Sequence, residues 1–562
     1  MPNLESKTAA VASVCAWLGL GRGAGGYFPG WTLWATVLLA AFALLPSAQL
    51  ASALLRPPPE LWQQIRPQLP GLFSNSLGLA AAVALGSGLL GTGLAWLTTL
   101  CDFPGRRFFS WALLLPIAMP AYVLGFVALG LFDAGGLGQR LWLAWQGGTA
   151  DPIPIRSFGG LSASLSLSYY PYVYLAARQA FQTQSGPAME AAHSLGAGLF
   201  SAFFRAGLPA AKPWIAAGLA VVIAETLADL GVVSIFRYET LSSALYANWQ
   251  GLPTTPASAH LAGWLLLLAY ATLAFKQRQR NLQNHYQSAN PNRSANPRRL
   301  PHYLGMMACG TAALVFALAF AIPILQLLVW WAADTAHAFD GRFASALCHS
   351  LLLAGAGAGL ILGAALAVSL AKRQYDCGGF VLLAYLANMG HALPGAALAA
   401  GLAIPAVSLD NALADLAKAW AGADALPMLS GGLGLLPLAY LVRFLALAFT
   451  STDNAFRRVT PNLEAAAQSL GARGYTLWRQ VHYPLLREGL LAAFLLAFVA
   501  ILQELPMTLL LRPADWDTLA TSLFALGMAG ESQQAALPAL ALVLAGLLPI
   551  IALLRGMGYR HG

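Results

Sequence analysis

Twelve stretches of this sequence are each apolar for long enough to cross a bilayer, and a chain built that way cannot fold as a water-soluble globule. About 20 apolar helical residues span a hydrocarbon core of roughly 30 Å. The stretches are 31–53, 72–100, 110–132, 160–180, 213–236 and 258–275, then 304–332, 346–371, 379–405, 432–450, 485–511 and 533–554. Hydrophobic residues make up 58% of the chain and charged residues 9%, where a soluble surface needs about 25% charge. A soluble enzyme, a nucleic-acid-binding domain and a disordered chain are therefore excluded, because too few charges exist to cover a wet surface of this size. The expected fold is an all-α integral membrane protein with about twelve transmembrane helices. The first apolar stretch begins beyond Gly30 and is long enough to remain in the membrane, so no cleaved signal is expected.

The net charge of +9 suggests a nucleic-acid partner until its distribution is followed. With the N-terminus placed inside and the spans alternating, 22 of the 31 Lys and Arg residues fall in inside segments, eight fall outside, and Arg443 lies within a span. The excess of cations on cytoplasmic segments selects this orientation, with both termini in the cytoplasm. The charge is a topology signal, and no nucleic-acid partner is expected. Cys15, Cys101, Cys309, Cys348 and Cys377 show no paired spacing and read as small apolar fillers.

A polar, basic segment, 276–303, divides six spans from six and reads as a cytoplasmic linker between a first half, 1–275, and a second half, 304–562. The halves are related. PAMEAAHSLGAGLFSAFFRAGLPAAKPW from Pro187 resembles PNLEAAAQSLGARGYTLWRQVHYPLLREG from Pro461, and a shift of 275 pairs Gly196 with Gly471, Phe200 with Tyr475 and Phe203 with Trp478. Upstream, Asn75-Ser76-Leu77 pairs with His349-Ser350-Leu351, and Met119-Pro120 with Leu393-Pro394, at a shift of 274. A tandem duplication with an even number of spans per copy places both copies in one orientation, about an axis along the membrane normal.

The repeated segments occupy the longest inside loop of each half, 181–212 and 451–484. Glu190, Ala191 and Ala192 begin a helix, Gly196 lets the chain turn, and Leu199, Phe200, Phe203 and Phe204 give a short helix an apolar face that Pro209 closes. Tyr475 and Trp478 take the aromatic places in the second copy. Such rings on the wet side need a membrane surface or a groove in a partner. EAAHSLGA with LP thirteen residues after its glycine, and AAAQSLGA with YP at the same distance, resemble the EAA loop of membrane subunits of binding-protein-dependent ABC importers. The resemblance covers the whole chain and implies two tandem six-helix type I permease repeats forming one alternating-access pathway in a bacterial inner membrane.

The resemblance further implies that the short helix after each glycine is a coupling helix, seated in a groove of a cytoplasmic ATPase. Glu190, Ala191, Gly196, Phe200, Phe203, Glu464, Gly471, Tyr475 and Trp478 would then be the ATPase-coupling residues. Two ATPase subunits and a periplasmic substrate-binding protein are the implied partners. QELPMTLLLRP from Gln503, opposite LADLGVVSIFR from Leu227, is similar to the iron(III)-transport permeases. One departure stands out: under the 275 shift Glu190 falls on Ala465, and Glu464 stands one position early.

No stretch fits G-x-x-x-x-G-K-[ST], so no ATP-binding loop is expected in this chain, ATP and Mg²⁺ belong to the partner ATPase, and no catalytic residue or cofactor is assigned. Glu225, Asp229, Glu504 and Arg443 are the ionisable residues within spans, where a charge costs a few kcal/mol. The three acids read either as lining the translocation pathway or as interhelical partners, with Arg443 among the candidates. His349 and His391 read as packing residues ahead of metal ligands, and no metal-ligand set is legible. Gly355, Gly359 and Gly363, with Ala82 and Gly86, read as small faces for close helix packing. Asp410, Asp415, Asp424, Asp515 and Asp517 make the outside segments acidic, a surface on which a binding protein could dock. Thiamine, polyamine, phosphonate and sulfate are the alternative cargoes within the class. An ion-coupled secondary transporter using the acids as ion sites is the alternative outside it.

Overall fold

The computed structural model describes residues 31–55, 63, 65–133, 135–146, 151–185, 189, 191–192, 194–251, 256–286, 297–333, 340–375, 378–421, 429, 432–472 and 474–558. Cys15, Glu190, Cys377 and Asp424 lie outside the described residues. The fold is all-α; among the described residues the strand content is one parallel pair, Cys101–Asp102 with Arg298–Arg299. Nine helices among the described residues are long and apolar enough to cross a membrane, ten if one sharply bent pair counts as a span.

Four of the expected spans are broken where the sequence reading has them continuous. The stretch 110–132 consists of Arg106–Ala112, a tight turn Leu115–Ala118 and a helix Ala121–Phe132, bent by 93°. Pro120 cannot donate to a helical ladder and pushes Met119 into extended backbone (φ −99, ψ 118). The stretch 379–405 breaks the same way. Gly378–Ala387 ends, Met389–Ala392 turns, Leu393 is extended (φ −81, ψ 135) before Pro394, and Gly395–Ala421 restarts. The stretches 213–236 and 485–511 stop at Asp229 (φ −65, ψ 123) and Glu504 (φ −73, ψ 116) before the short helices Gly231–Ile235 and Pro506–Leu511. The helix Phe158–Ala180 forms as expected, but its serines and tyrosines keep it out of the nine most apolar.

The chain makes two compact units that cut across the sequence halves. One comprises Met1–Pro57, Trp249–Gly263 and Ser345–Thr518. In it Leu33 of the first helix, Trp31–Leu55, is fully buried with Val368, Tyr375 and Phe380, and Pro46 of that helix lies against Gly401 so closely that a Cβ there would come within 2.7 Å of it. The other comprises Pro58–Asn248, Trp264–Ala344 and Leu519–Gly562. Its core joins Leu94, Tyr170, Tyr174, Phe203 and Trp214 to Ala312, Val315 and Ala319 of the second half. Each repeat therefore contributes its first helix to the unit built mainly on the other repeat.

The duplication is visible in conformation. A π-turn covers Phe203–Gly207 and another Trp478–His482, 275 residues apart. Gly196 and Gly471 both take positive φ, +84 and +87. Asn75 Nδ2 donates to Glu239 O at 3.0 Å, and its counterpart His349 places Nδ1 3.1 Å from Asp517 O, so one position in each repeat ties an unbroken helix to the segment that follows the break at Asp229 or Glu504.

Candidate functional site

Both loop helices end in the same cap. Leu195 N–H donates to Ala191 O and Ala197 N–H to Ala192 O at 3.0 Å; Leu470 N–H donates to Ala466 O and Ala472 N–H to Ala467 O at 3.0 Å. This pattern needs a left-handed residue after the helix, the conformation that glycine adopts without penalty, and Gly196 and Gly471 supply it. The cap leaves Leu195 and Leu470, immediately before each glycine, 89% exposed. The shift of 275 pairs these two leucines, to which the sequence alone assigns no role. The available signal was an apolar residue repeated at a wet turn. Phe200 and Tyr475 are also exposed.

The segments after the turns are seated differently. Phe203 is 7% exposed, with ring centroids 4.8 Å from Trp96 and 5.9 Å from Phe181, and Phe200 lies 5.6 Å from Trp96. Gly207 admits Met189 so closely that a Cβ there would come within 2.9 Å of its sulfur. In the second copy half-buried Trp478 packs against the cluster of Phe456, Val459 and Leu486, and Glu464 joins the helix before the turn to His482 after it. Glu464 Oε1 lies 3.0 Å from Arg373 Nη2 and 3.2 Å from Nε2 of buried His482. Arg373 also donates to Phe456 O and Val459 O at 2.8 and 2.9 Å. Lys372 donates to both carboxylate oxygens of Asp453, at 2.9 and 2.8 Å. Burial works to raise the Glu464 pKa, but the contact with His482 and the Arg373 guanidinium outweigh it and hold the carboxyl below its ordinary range.

The early position of Glu464 has a geometric consequence. Glu190 precedes its glycine by six residues and Glu464 by seven, and one residue on a helix is a rotation of about 100°. Relative to the turn, Glu464 therefore points in a different direction from a residue at the Glu190 place, and that direction leads to Arg373 and His482. Neither partner was singled out from sequence, where Arg373 counted only as a topology cation.

The intramembrane acids cap the restarted helices. Asp229 Oδ1 accepts from the N–H groups of Val232 and Val233 at 2.9 and 3.3 Å, and Oδ2 accepts from Tyr169 OH at 3.2 Å. Glu504 Oε1 accepts from Met507 N–H at 3.2 Å, and Oε2 lies 3.1 Å from Arg443 Nε. Tyr169 and Arg443 are 274 residues apart, so the two donors occupy equivalent places. Arg443 Nη1 also donates to Leu393 O at 2.7 Å, and Gly395 stands so close that a Cβ there would lie 2.5 Å from Glu504 Oε1. Glu225 sits half-buried one turn before Asp229.

The remaining candidates are placed as follows. His349 stacks on Trp516 at 4.1 Å, and His391 Nδ1 lies 3.2 Å from Arg443 O. Asp410 accepts from Leu429 N–H, and Asp517 pairs with Arg512. Among the described residues no three His, Cys, Asp or Glu side chains gather as a metal site. The packing face expected at Gly355, Gly359 and Gly363 is not one: a Cβ at any of them would meet no atom within 4 Å. Gly357, which admits Ile501, is the packed glycine of that helix, and Gly86 packs on Ser166 as expected.

Comparison with known proteins covers nearly the whole chain. It is 25% identical over 495 residues to the Fe(3+)-transport system permease protein FbpB 2 of Haemophilus influenzae, a match that takes in 87% of this chain and 90% of the relative. The chain resembles transport-system permeases. Shorter permeases match as well. The sulfate transport system permease protein CysT of Escherichia coli K12 is 27% identical over 37% of this chain and 78% of its own length. The molybdenum transport system permease protein ModB of the same organism is 29% identical over 35% of the chain and 85% of its own length. These two permeases are about half as long as this chain, while the iron relative is of similar length. No protein-family model matches the sequence.

Proposed function

We propose that this chain is the membrane-spanning subunit of an ATP-driven importer in a bacterial inner membrane, and that its cargo is iron(III) delivered by a periplasmic binding protein. The observation that carries the reading is the pair of capped loops. Each presents an almost fully exposed leucine and an exposed ring from an identical backbone turn. Apolar groups held outward on rigid turns suit two equivalent grooves in a partner, as two copies of a cytoplasmic ATPase provide. The cargo rests on similarity to the iron permease over 87% of the chain. In this reading Glu225, Asp229 and Glu504 are the polar stations of the pathway. Asp229 and Glu504 hold the helix breaks open through their capping bonds, and coordination of the ion is left to the binding protein.

The testing experiment is uptake of radioactive iron by vesicles holding this chain, its ATPase and its binding protein, against labelled sulfate, thiamine and polyamine under the same conditions. Iron should accumulate in an ATP-dependent, protonophore-resistant manner. Accumulation of another cargo alone would remove the iron assignment, and uptake that collapses with the proton gradient would favour the secondary carrier. Orientation is checked separately: a cysteine at Gln468 should resist a membrane-impermeant thiol reagent in intact cells, and one at Thr149 should label.

A further inference from the structure

A cavity of about 590 Å³ opens between the helices Phe158–Ala180, Leu208–Ala228 and Pro256–Tyr286, all of its lining drawn from one compact unit. Its lining is of two kinds. Arg178 and Lys276 stand in it with three glutamines, among them Gln283, whose Nε2 donates to Pro213 O at 3.1 Å. Leu175, Val221 and the buried Trp214 supply the apolar part of the wall. Arg178 directs one guanidinium nitrogen to Ser110 O, rests over the Tyr174 ring at 6.0 Å and lines the cavity. Lys276 is followed one turn on by Arg280, a like charge that sharpens the local positive potential, and is partly offset by Glu225, which is not among the lining residues.

The simplest account of cations at this level is that they snorkel to the interface and serve topology. That account explains the charges but not a cavity joined to an apolar wall. A small free anion would use the cations and leave the apolar wall without a purpose. A molecule with a phosphate at one end and a hydrocarbon chain at the other uses both, and basic pockets between transmembrane helices are suited to phospholipid headgroups. We propose that this cavity binds one anionic phospholipid, its phosphate beside Arg178 and Lys276 and one acyl chain along Leu175 and Val221. The helix Phe158–Ala180 leads directly into the first loop, and Pro213 and Trp214 follow it, so a bound lipid would brace that loop from the membrane side.

The test uses the full chain, incorporated into vesicles of equal parts phosphatidylglycerol and phosphatidylcholine, extracted in mild detergent and assayed for retained lipid by mass spectrometry. Wild type should retain phosphatidylglycerol in preference to phosphatidylcholine. Lys276→Gln should lower that retention about fivefold, the effect of one cation near an anionic headgroup. Val221→Trp, which fills the apolar wall and leaves both charges, should lower it as well; both variants should elute as folded protein like wild type. Equal retention of the two lipids, or retention unchanged in both variants, would overturn the proposal. Displacement by inorganic phosphate with Val221→Trp silent would assign the site to a free anion and likewise overturn it.

Discussion

In the first repeat the segment after Gly196 is seated by rings, with Phe203 packed among Trp96 and Phe181, and the acid at the helix break is met by a phenol, Tyr169 to Asp229. In the second repeat the equivalent segment packs Trp478 against Phe456 and Val459 and meets Glu464, itself paired with Arg373, through His482, and the acid at the break is met by a guanidinium, Arg443 to Glu504. The backbone devices are the same in both: the capped turn, the π-turn and the break with a carboxylate at its end. Backbone geometry is thus preserved across the duplication, while among the described residues the second copy holds it with ion pairs, Glu464 to Arg373 and Glu504 to Arg443. A nearly buried ion pair depends on both partners; a packed ring depends on volume.

The largest expected contrast lies at the breaks. Arg443, 13% exposed, neutralises a carboxylate that is 7% exposed. Arg443→Gln should therefore cost about 3–5 kcal/mol, the penalty for stranding one member of a buried pair. Tyr169→Phe removes one hydrogen bond to a carboxylate that keeps two backbone donors, and should cost about 1.5–3 kcal/mol. Thermal unfolding of the purified variants compares them directly, and equal losses would break the distinction between the repeats. Next is the ring. Phe203→Ala should cost about 3–5 kcal/mol as a core truncation. Trp478→Ala, at the equivalent but half-exposed place, should cost less in the same assay.

The glycines sharpen the comparison by predicting no contrast. A Cβ at Gly196 or Gly471 meets nothing within 4 Å, so replacement by valine strains only the positive-φ backbone, at about 1–2 kcal/mol in either repeat. Both variants should insert normally and lose transport together; a one-sided loss would mean that the two turns do different work. The smallest effect is in pH. Glu464 titrates below the ordinary carboxylate value in the folded chain. Its contribution is then fully present above that ordinary value, about 4.3, and is lost as pH falls through the lower folded one. The hydrogen-exchange protection factors of the amides around 464–472, taken against their intrinsic exchange rates, should fall on acidification through that window, while those around 194–203 should not.

Much of this was legible beforehand, because hydropathy and cation placement are properties of single stretches. The spans, the duplication and the two glycine turns follow from such local reading. The breaks were half-written: Pro120 and Pro394 are visible, but an apolar run gives no sign that it bends by 93°. Asp229 and Glu504 were noticed as charges in the membrane, yet their capping of the next helix depends on where the helix stops. Arg373, His482 and Tyr169 were out of reach because each gains its role from a residue tens of positions away. The glycine face at 355, 359 and 363 misled for the reverse reason: the spacing describes a face and does not say what covers it.

The exchange of first helices has a consequence for how the protein is made. Trp31–Leu55 is translated before the residues packed against it, Val368 and Phe380, which follow more than three hundred positions later. Until then the helix must wait in the bilayer with its packing face against lipid. Synthesis of the second half is thus a condition for finishing the first, and nascent chains stalled at 276–303 should be substrates for membrane proteases.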